Sequence, residues 1–263
     1  MDIRFDGQVA LISGAASGMG LLFSKNFAAL GGSIVMCDIN PETLAVAVHE
    51  IHAIREGAAI GVPCDVRDYA QVTHARDEAM RVYGRIDVVI PFAGGAETRM
   101  LGISGSLEFP DIPIEVFDWS LDVNLRGQIY FAHAAMGVMR YQKSGVVICI
   151  GSITGEEGSA NNVGYAATKS AAMNGLVKSL AEFGGAYGIR ACCVAPGPVM
   201  TRAAMANMAT LMGRAADPQE IIDLILYLAS DKAAFITGIT VLADGGRNVM
   251  KKKTYRKFAE ESK

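Results

Sequence analysis

Seven short apolar runs punctuate the chain: VALIS (9–13), SIVMC (33–37), AAIGV (58–62), DVVIP (87–91), VVICI (146–150), RACCV (190–194) and ITVLA (239–243). A strand that meets water on one side alternates apolar and polar residues. These runs are apolar almost throughout, so both of their faces must be covered. Between them lie stretches of helical length and pattern at about 18–30, 41–56, 68–83, 115–139, 163–186 and 217–229. Parallel strands need a crossover, and a helix in that crossover lands on the sheet. The alternation therefore predicts an α/β fold: a parallel sheet of about seven strands with helices on both faces. Asn40-Pro41-Glu42 and Asp217-Pro218 read as helix starts, an N-cap residue followed by proline at the first helical position.

No repeat or low-complexity linker divides the 263 residues, which predicts one domain over 1–250. Residues 96–113 hold Gly102, Gly105, Pro110 and Pro113 and read as a long loop. Residues 251–263, KKKTYRKFAEESK, form a charged tail. A net charge of −3, without a basic block before that tail, excludes nucleic acid as the main partner. Five cysteines with no C-x-x-C pair fit a reduced, disulfide-free protein. The start MDIRFDGQVALISG enters a strand at once and does not read as a signal peptide, and no apolar run reaches membrane-spanning length. A cytoplasmic protein without a membrane partner is the expectation. No cluster has metal-ligand spacing. Histidines 49, 52, 74 and 133 fall on helices away from the motifs below, with His49 and His52 read as exposed.

The first run leads straight into SGAASGMG, with Gly14, Gly18 and Gly20 spaced G-x-x-x-G-x-G and Ser17 and Met19 between them. A glycine-rich turn from strand to helix lets backbone N–H groups approach a pyrophosphate at the positive end of the helix. The second strand ends at Asp38, 18 residues beyond Gly20, where a carboxylate can accept from the ribose hydroxyls of an adenosine. The plain alternative is a helix cap, since Pro41 follows closely. A 2′-phosphate beside an unpaired carboxylate is repelled, and the neighbours Ser17, Cys37 and Ile39 supply no cation, so NAD is favoured over NADP. Asp65, with Val66 after it, stands where it can meet the adenine amino group or cap the next helix.

GYAATKSAA places Tyr165 and Lys169 four apart on one helical face. A phenol with a pKa of about 10 is a poor base at neutral pH. A nearby ammonium favours the phenolate and makes it a better one. Such a pair alone is commonly a solvated helix face. Ser152, 13 residues upstream and just after a buried-looking strand, adds a hydroxyl that can bond the oxygen of an alcohol or carbonyl.

In these motifs the chain resembles the short-chain dehydrogenases/reductases of about 250 residues, from about residue 5 to 247. SGAASGMG matches their cofactor glycines, and Ser152, Tyr165 and Lys169 match the catalytic set in order and spacing. Asn124 in DVNLRG matches the fourth member. APGPVMT matches the turn after the sixth strand, and DGG at 244–246 the C-terminal signature. The resemblance implies a Rossmann-type doubly wound sheet and hydride transfer between nicotinamide and a secondary alcohol or ketone. Tyr165 is then the general acid/base and Ser152 orients the substrate oxygen. Lys169 tunes Tyr165 and holds the nicotinamide ribose, and Asn124 fixes a water for proton relay. It further implies cofactor contacts from Ala93, Gly94, Pro196, Gly197, Val199 and Thr201, and a homotetramer, or a homodimer, built on the helices at 115–139 and 163–186. The other class open to the fold is a non-catalytic NAD-binding regulator or scaffold. Keeping all four of Asn124, Ser152, Tyr165 and Lys169 argues against it.

The chain departs from the family in places. Pro91-Phe92 precedes Ala93-Gly94 where members carry two asparagines, and Cys192 replaces another. A buried group orphaned by the lost amide costs about 1–3 kcal/mol. The 96–113 loop borders the substrate mouth in this family, so Met100, Leu101 and Phe109 either shape the site or cover the surface. Glu157 either faces a polyhydroxylated substrate or, like Glu156, meets water. Residues 197–214 correspond to the substrate lid, and Met205, Met208 and Met212 share one face if the segment is helical. They then pack on the protein or roof the substrate. Met200, beside Thr201, is the methionine expected to touch substrate.

Overall fold

The computed structural model describes residues 2–97, 102, 107–201 and 208–250. These build a seven-stranded, all-parallel sheet in the order β3-β2-β1-β4-β5-β6-β7. The strands are β1 (Val9–Ser13), β2 (Ser33–Asp38), β3 (Ala59–Pro63), β4 (Val88–Pro91), β5 (Gly145–Ile150), β6 (Ile189–Pro196) and β7 (Ile239–Ala243). Each apolar run of the sequence becomes a strand, displaced by no more than a residue or two.

The side chains of each strand divide between two cores, because alternate residues point to opposite faces. Ala10, Ile12, Ile34, Met36, Ile148 and Val194 face α1 (Gly18–Ala29), α2 (Pro41–Ile54) and α9 (Pro218–Ala229). Leu11, Val35, Val89, Val147 and Cys193 face the other layer, formed by α3 (Tyr69–Tyr83), α5 (Gly127–Gln142) and α8 (Val177–Gly185). Helices on both faces are the reason that the runs have so few polar positions. The two expected helix starts are caps in fact. Asn40 Oδ1 accepts from the N–H groups of Glu42 and Thr43, and Asp217 forms a reciprocal capping box with Glu220.

The two long helices are not continuous α-helices. α4 (Ile114–Leu121) passes into α5 through a π-helical turn, Asp122–Arg126, and α7 (Val163–Ala171) passes into α8 through another, Ala172–Leu176. Such turns admit one extra residue and release a backbone carbonyl. Here the freed Asn124 carbonyl accepts from Gln128 Nε2 at 2.7 Å. The Gln128 side chain also spans to Ile150, accepting from its N–H at 2.9 Å and donating to its carbonyl at 3.2 Å.

Phe92 stands where the family carries an asparagine and is held by packing. Its ring extends an aromatic column through Phe23 and Phe27 to Phe5, with centroids 5.8, 5.3 and 4.4 Å apart. Its N–H donates to the Ser13 carbonyl and that of Ala93 to Ser13 Oγ, so the turn after β4 stays tied to the end of β1. Cys192 is fully buried, and all five cysteines are free.

Two expectations are corrected. His52 is half-buried rather than exposed, because Nε2 lies 2.8 Å from the Ala59 carbonyl at the edge of β3. The methionine stripe is not helical over its described part: residues 208–214 form a bend and turn. The Met212 N–H donates to Gly245 and Thr210 Oγ1 to the Arg214 carbonyl, and Gly213 takes φ +70°. Met208 and Met212 therefore share no helix face. Met205, Met100, Leu101 and the tail 251–263 lie outside the described residues.

Candidate active site

The strand order reverses between β1 and β4, where crossovers leave in opposite directions and open a crevice at the carboxyl ends of the strands. A cleft of about 1220 Å³ occupies this place. Its floor is the β1–α1 turn. A Cβ on Gly20 would sit 2.2 Å from the Gly14 carbonyl oxygen, and one on Gly14 would sit 2.8 Å from the Ala93 nitrogen. Glycine is thus required for the turn to close against the β4 loop. Gly18, with φ +54°, has open space where a side chain would project. Ser17 caps α1 in extended conformation but makes no side-chain capping bond, and the first turn carries no acid. The start of α1 therefore offers its N–H groups and positive dipole end to the cleft through Gly18, Met19 and Gly20.

Asp38 closes one end. Its Oδ2 accepts from the Ala16 N–H and its Oδ1 from the Asn40 N–H, each at 3.1 Å. Asn40, not Asp38, caps α2, so the plain alternative for Asp38 fails. Ile39 lies beside it, two-thirds exposed. Asp65 and Val66 line the same end, but Arg67 grips the Asp65 carboxylate at 2.6 Å. The hydrogen bond from Arg67 holds the Asp65 carboxyl below the usual carboxylate range. Arg67 is a cation at this end of the cleft that the sequence motifs do not mark. This donor and acceptor set fits a dinucleotide: a cradle open to phosphate and a carboxylate for ribose hydroxyls.

The four predicted catalytic residues converge at the opposite end. The π turn aims the buried Asn124 amide at Gly95, whose N–H and carbonyl it bonds at 2.9 and 3.0 Å. Lys169 is almost wholly buried, and its Nζ donates to the Ile150 carbonyl at 2.8 Å. Nζ lies 5.5 Å from the centre of the Tyr165 ring. A Cβ on Gly94, where φ is +151°, would stand 2.5 Å from Asn124 Oδ1 and 3.8 Å from Lys169 Nζ, so both polar heads lie close behind this glycine. Burial lowers the Lys169 pKa from 10.5 to about 8. Ser152 lies between β5 and the short helix α6 (Thr154–Glu157) and accepts from the Thr154 N–H at 3.2 Å. Ser152 and Tyr165 both line the cleft, as do Ala93, Gly94, Gly197 and Thr201.

Pro196, Val199 and Met200 do not line it. Pro196 ends β6, Val199 bridges to Ala216, and Met200 is 44% exposed. Phe109 packs edge-on against Phe117 instead of entering the cleft. Glu157 lines the cleft yet stays exposed, and Arg247 holds its carboxylate at 2.8 Å. Arg247 also donates to the Ala209 carbonyl at 3.0 Å, so it ties the β5 side of the mouth to the segment after Thr201. Trp119 and Met208 complete this wall. Nothing local in the sequence marks Arg247 beyond its place directly after the DGG signature, 90 residues from its partner.

The family model described as enoyl-(acyl carrier protein) reductase matches residues 14–248. Trans-4-hydroxycyclohexanecarboxylate dehydrogenase of Sinomonas cyclohexanicum is 36% identical over 252 residues, 92% of this chain and 93% of that protein. A 3-alpha-(or 20-beta)-hydroxysteroid dehydrogenase of Mycobacterium tuberculosis is 37% identical over 253 residues, covering 94% and 91%. A solved 7 alpha-hydroxysteroid dehydrogenase, complexed with NADH and 7-oxo glycochenodeoxycholic acid, superposes with a TM-score of 0.83 at 28% identity. It covers 94% of this chain and 96% of its own. The match spans the glycine turn, α7 and the C-terminal turn in one alignment, and the chain belongs to the short-chain dehydrogenase/reductase family of oxidoreductases.

Proposed function

We propose that this protein is an NAD-dependent dehydrogenase interconverting a secondary alcohol and its ketone, with Tyr165 as general acid/base. The observation that carries the reading is the buried Lys169 ammonium, 5.5 Å from the centre of the Tyr165 ring. A cation held there favours the phenolate and suits Tyr165 to take a proton from an alcohol. When bound, the nicotinamide accepts or returns the hydride. Gly14, Ser17, Gly18, Met19 and Gly20 would hold the pyrophosphate, and Asp38 the adenosine ribose. Thr201 and Gly197 would meet the nicotinamide end, and Lys169 its ribose. Ser152 would donate to the substrate oxygen while Tyr165 gives up or takes the proton on that oxygen. Asp38 supports NAD over NADP, because a 2′-phosphate would lie against its carboxylate.

A single catalytic domain over 1–250, with substrate loop 96–113 and lid 197–214, belongs to the same reading. So do a cytoplasmic location, supported by five free thiols, and a homotetramer or homodimer. The relatives named above are named for hydroxyl groups on or beside alicyclic rings, so the substrate class to try first is an alicyclic secondary alcohol. The test is NADH formation from NAD and a panel of trans-4-hydroxycyclohexanecarboxylate, hydroxysteroids, polyols and small aliphatic alcohols, repeated with NADP. Turnover with at least one alcohol and a preference for NAD are expected. Cofactor binding without turnover across the panel would return the chain to the scaffold class.

A further inference from the structure

One buried acid is not used by the mechanism above. Glu97 opens the substrate loop, is fully buried, and forms no ion pair among the described residues. Its oxygens accept from the backbone N–H of Tyr165 at 3.2 and 3.0 Å, and Oε2 also accepts from Ser120 Oγ at 3.3 Å. Tyr165 is the third residue of α7, and the first intrahelical bond there is from the Ala166 N–H to the Asn162 carbonyl. The Tyr165 N–H is therefore one of the donors that a helix leaves without an internal partner. Asn162, at the cap position, makes no side-chain capping bond. A carboxylate from 68 residues away does that work.

We propose that Glu97 is a positioning residue for the reaction: it caps the helix carrying Tyr165 and sets the height of that helix against Asn124 and the cofactor loop. The proposal rests on the reading of Tyr165 as general acid/base. Three further features support it. Gly164 leaves room for the approach, since a Cβ there would stand 3.1 Å from Glu97 Oε1. Ser120, bonded to Glu97, receives the Asn124 amide on its hydroxyl at 3.3 Å and on its carbonyl at 3.2 Å. Two residues before Glu97, Gly95 is the backbone partner of that same amide. Residues 95–97, the π turn and the catalytic helix are thus joined in one closed set of hydrogen bonds. The dipole of α7 favours an anion at this end, which offsets part of the cost of burying one.

The test compares Glu97→Met, which fills the space without an acceptor, with Glu97→Gln, which keeps one oxygen for the Tyr165 N–H and can donate to Ser120. With the NAD-saturated protein, Glu97→Met should speed hydrogen exchange at the amides of residues 163–167 by about tenfold, leaving the sheet protected. Its kcat should fall about tenfold or more, with KM and the NADH Kd within about threefold of wild type. Glu97→Gln should restore both readouts to within about threefold. Unchanged exchange at 163–167 in Glu97→Met overturns the proposal, as does a Gln variant that falls as far as Met. Should the Met variant fail to fold, Glu97→Asp, one methylene short, must show the same local exchange. If the wild type oxidises no alcohol, the dehydrogenase reading fails alone, and the exchange result still decides the role of Glu97.

Discussion

Replacing Lys169 with methionine should make the protein more stable and inactive at once. Burial drops the Lys169 pKa from 10.5 to about 8. At about 1.4 kcal/mol per tenfold change in proton affinity, the folded state is disfavoured by about 3 kcal/mol at neutral pH, where the amine is charged. The thiols of Cys193 and Cys149 do not relieve this there. Burial raises Cys193 to about 11 and Cys149 well above its usual value, so both are uncharged. The sign follows from proton binding. The folded-state pKa is depressed, so below about pH 8 the unfolded chain holds its proton more tightly and the cost is complete. The cost fades as pH rises from about 8 towards 10.5. Methionine keeps the length and apolar stem and removes the charge. The lost hydrogen bond to Ile150 forfeits about 1 kcal/mol, because that carbonyl keeps Gln128 Nε2 as a donor. The variant should therefore gain about 2 kcal/mol near pH 7 in urea unfolding, and the gain should shrink by about 1.4 kcal/mol near pH 9. Turnover should fall by about 100- to 10,000-fold. A variant less stable than wild type near pH 7, or a gain independent of pH, refutes the reasoning.

Asp38→Asn removes the charge facing the ribose. The Kd for NAD, measured by calorimetry, should rise about tenfold while discrimination against NADP narrows. An unchanged ratio of the two affinities contradicts the role of Asp38. Gly20→Ala places a methyl 2.2 Å from the Gly14 carbonyl oxygen. It should destabilise the fold by about 1–3 kcal/mol in urea unfolding and abolish measurable NADH binding, because the cradle must open to admit it.

The sheet was legible because its central strands are buried on both faces, so a run such as VVICI carries no polar interruption to confuse it with a loop. Asp38 and the Tyr165/Lys169 pair were legible because their spacing is local: a strand end after a glycine turn, and one turn of helix. The contacts that hold these residues were hidden for the opposite reason. Glu97 reaches Tyr165 across 68 residues, and Arg247 reaches Glu157 across 90. Arg67 neutralises Asp65 from two residues away, yet short spacing alone does not separate such a pair from two solvated charges. The π turns escaped notice because one inserted residue leaves the apolar periodicity of a long helix nearly intact. The methionine stripe misled for a related reason. Helical spacing was present at 205, 208 and 212, but Gly213 and the Thr210 hydroxyl impose a turn on its described part.

The central claim is that Tyr165 moves the proton while the rest of the site holds the cofactor. It is tested most directly by Tyr165→Phe, assayed twice on the same sample. The chain has one tryptophan, Trp119, and it lines the cleft, so energy transfer from it to bound NADH reports binding without chemistry. The account predicts an NADH Kd within about threefold of wild type and turnover lowered by about 100-fold or more on any alcohol the wild type oxidises. Near-normal turnover in the phenylalanine variant, with binding intact, would contradict it.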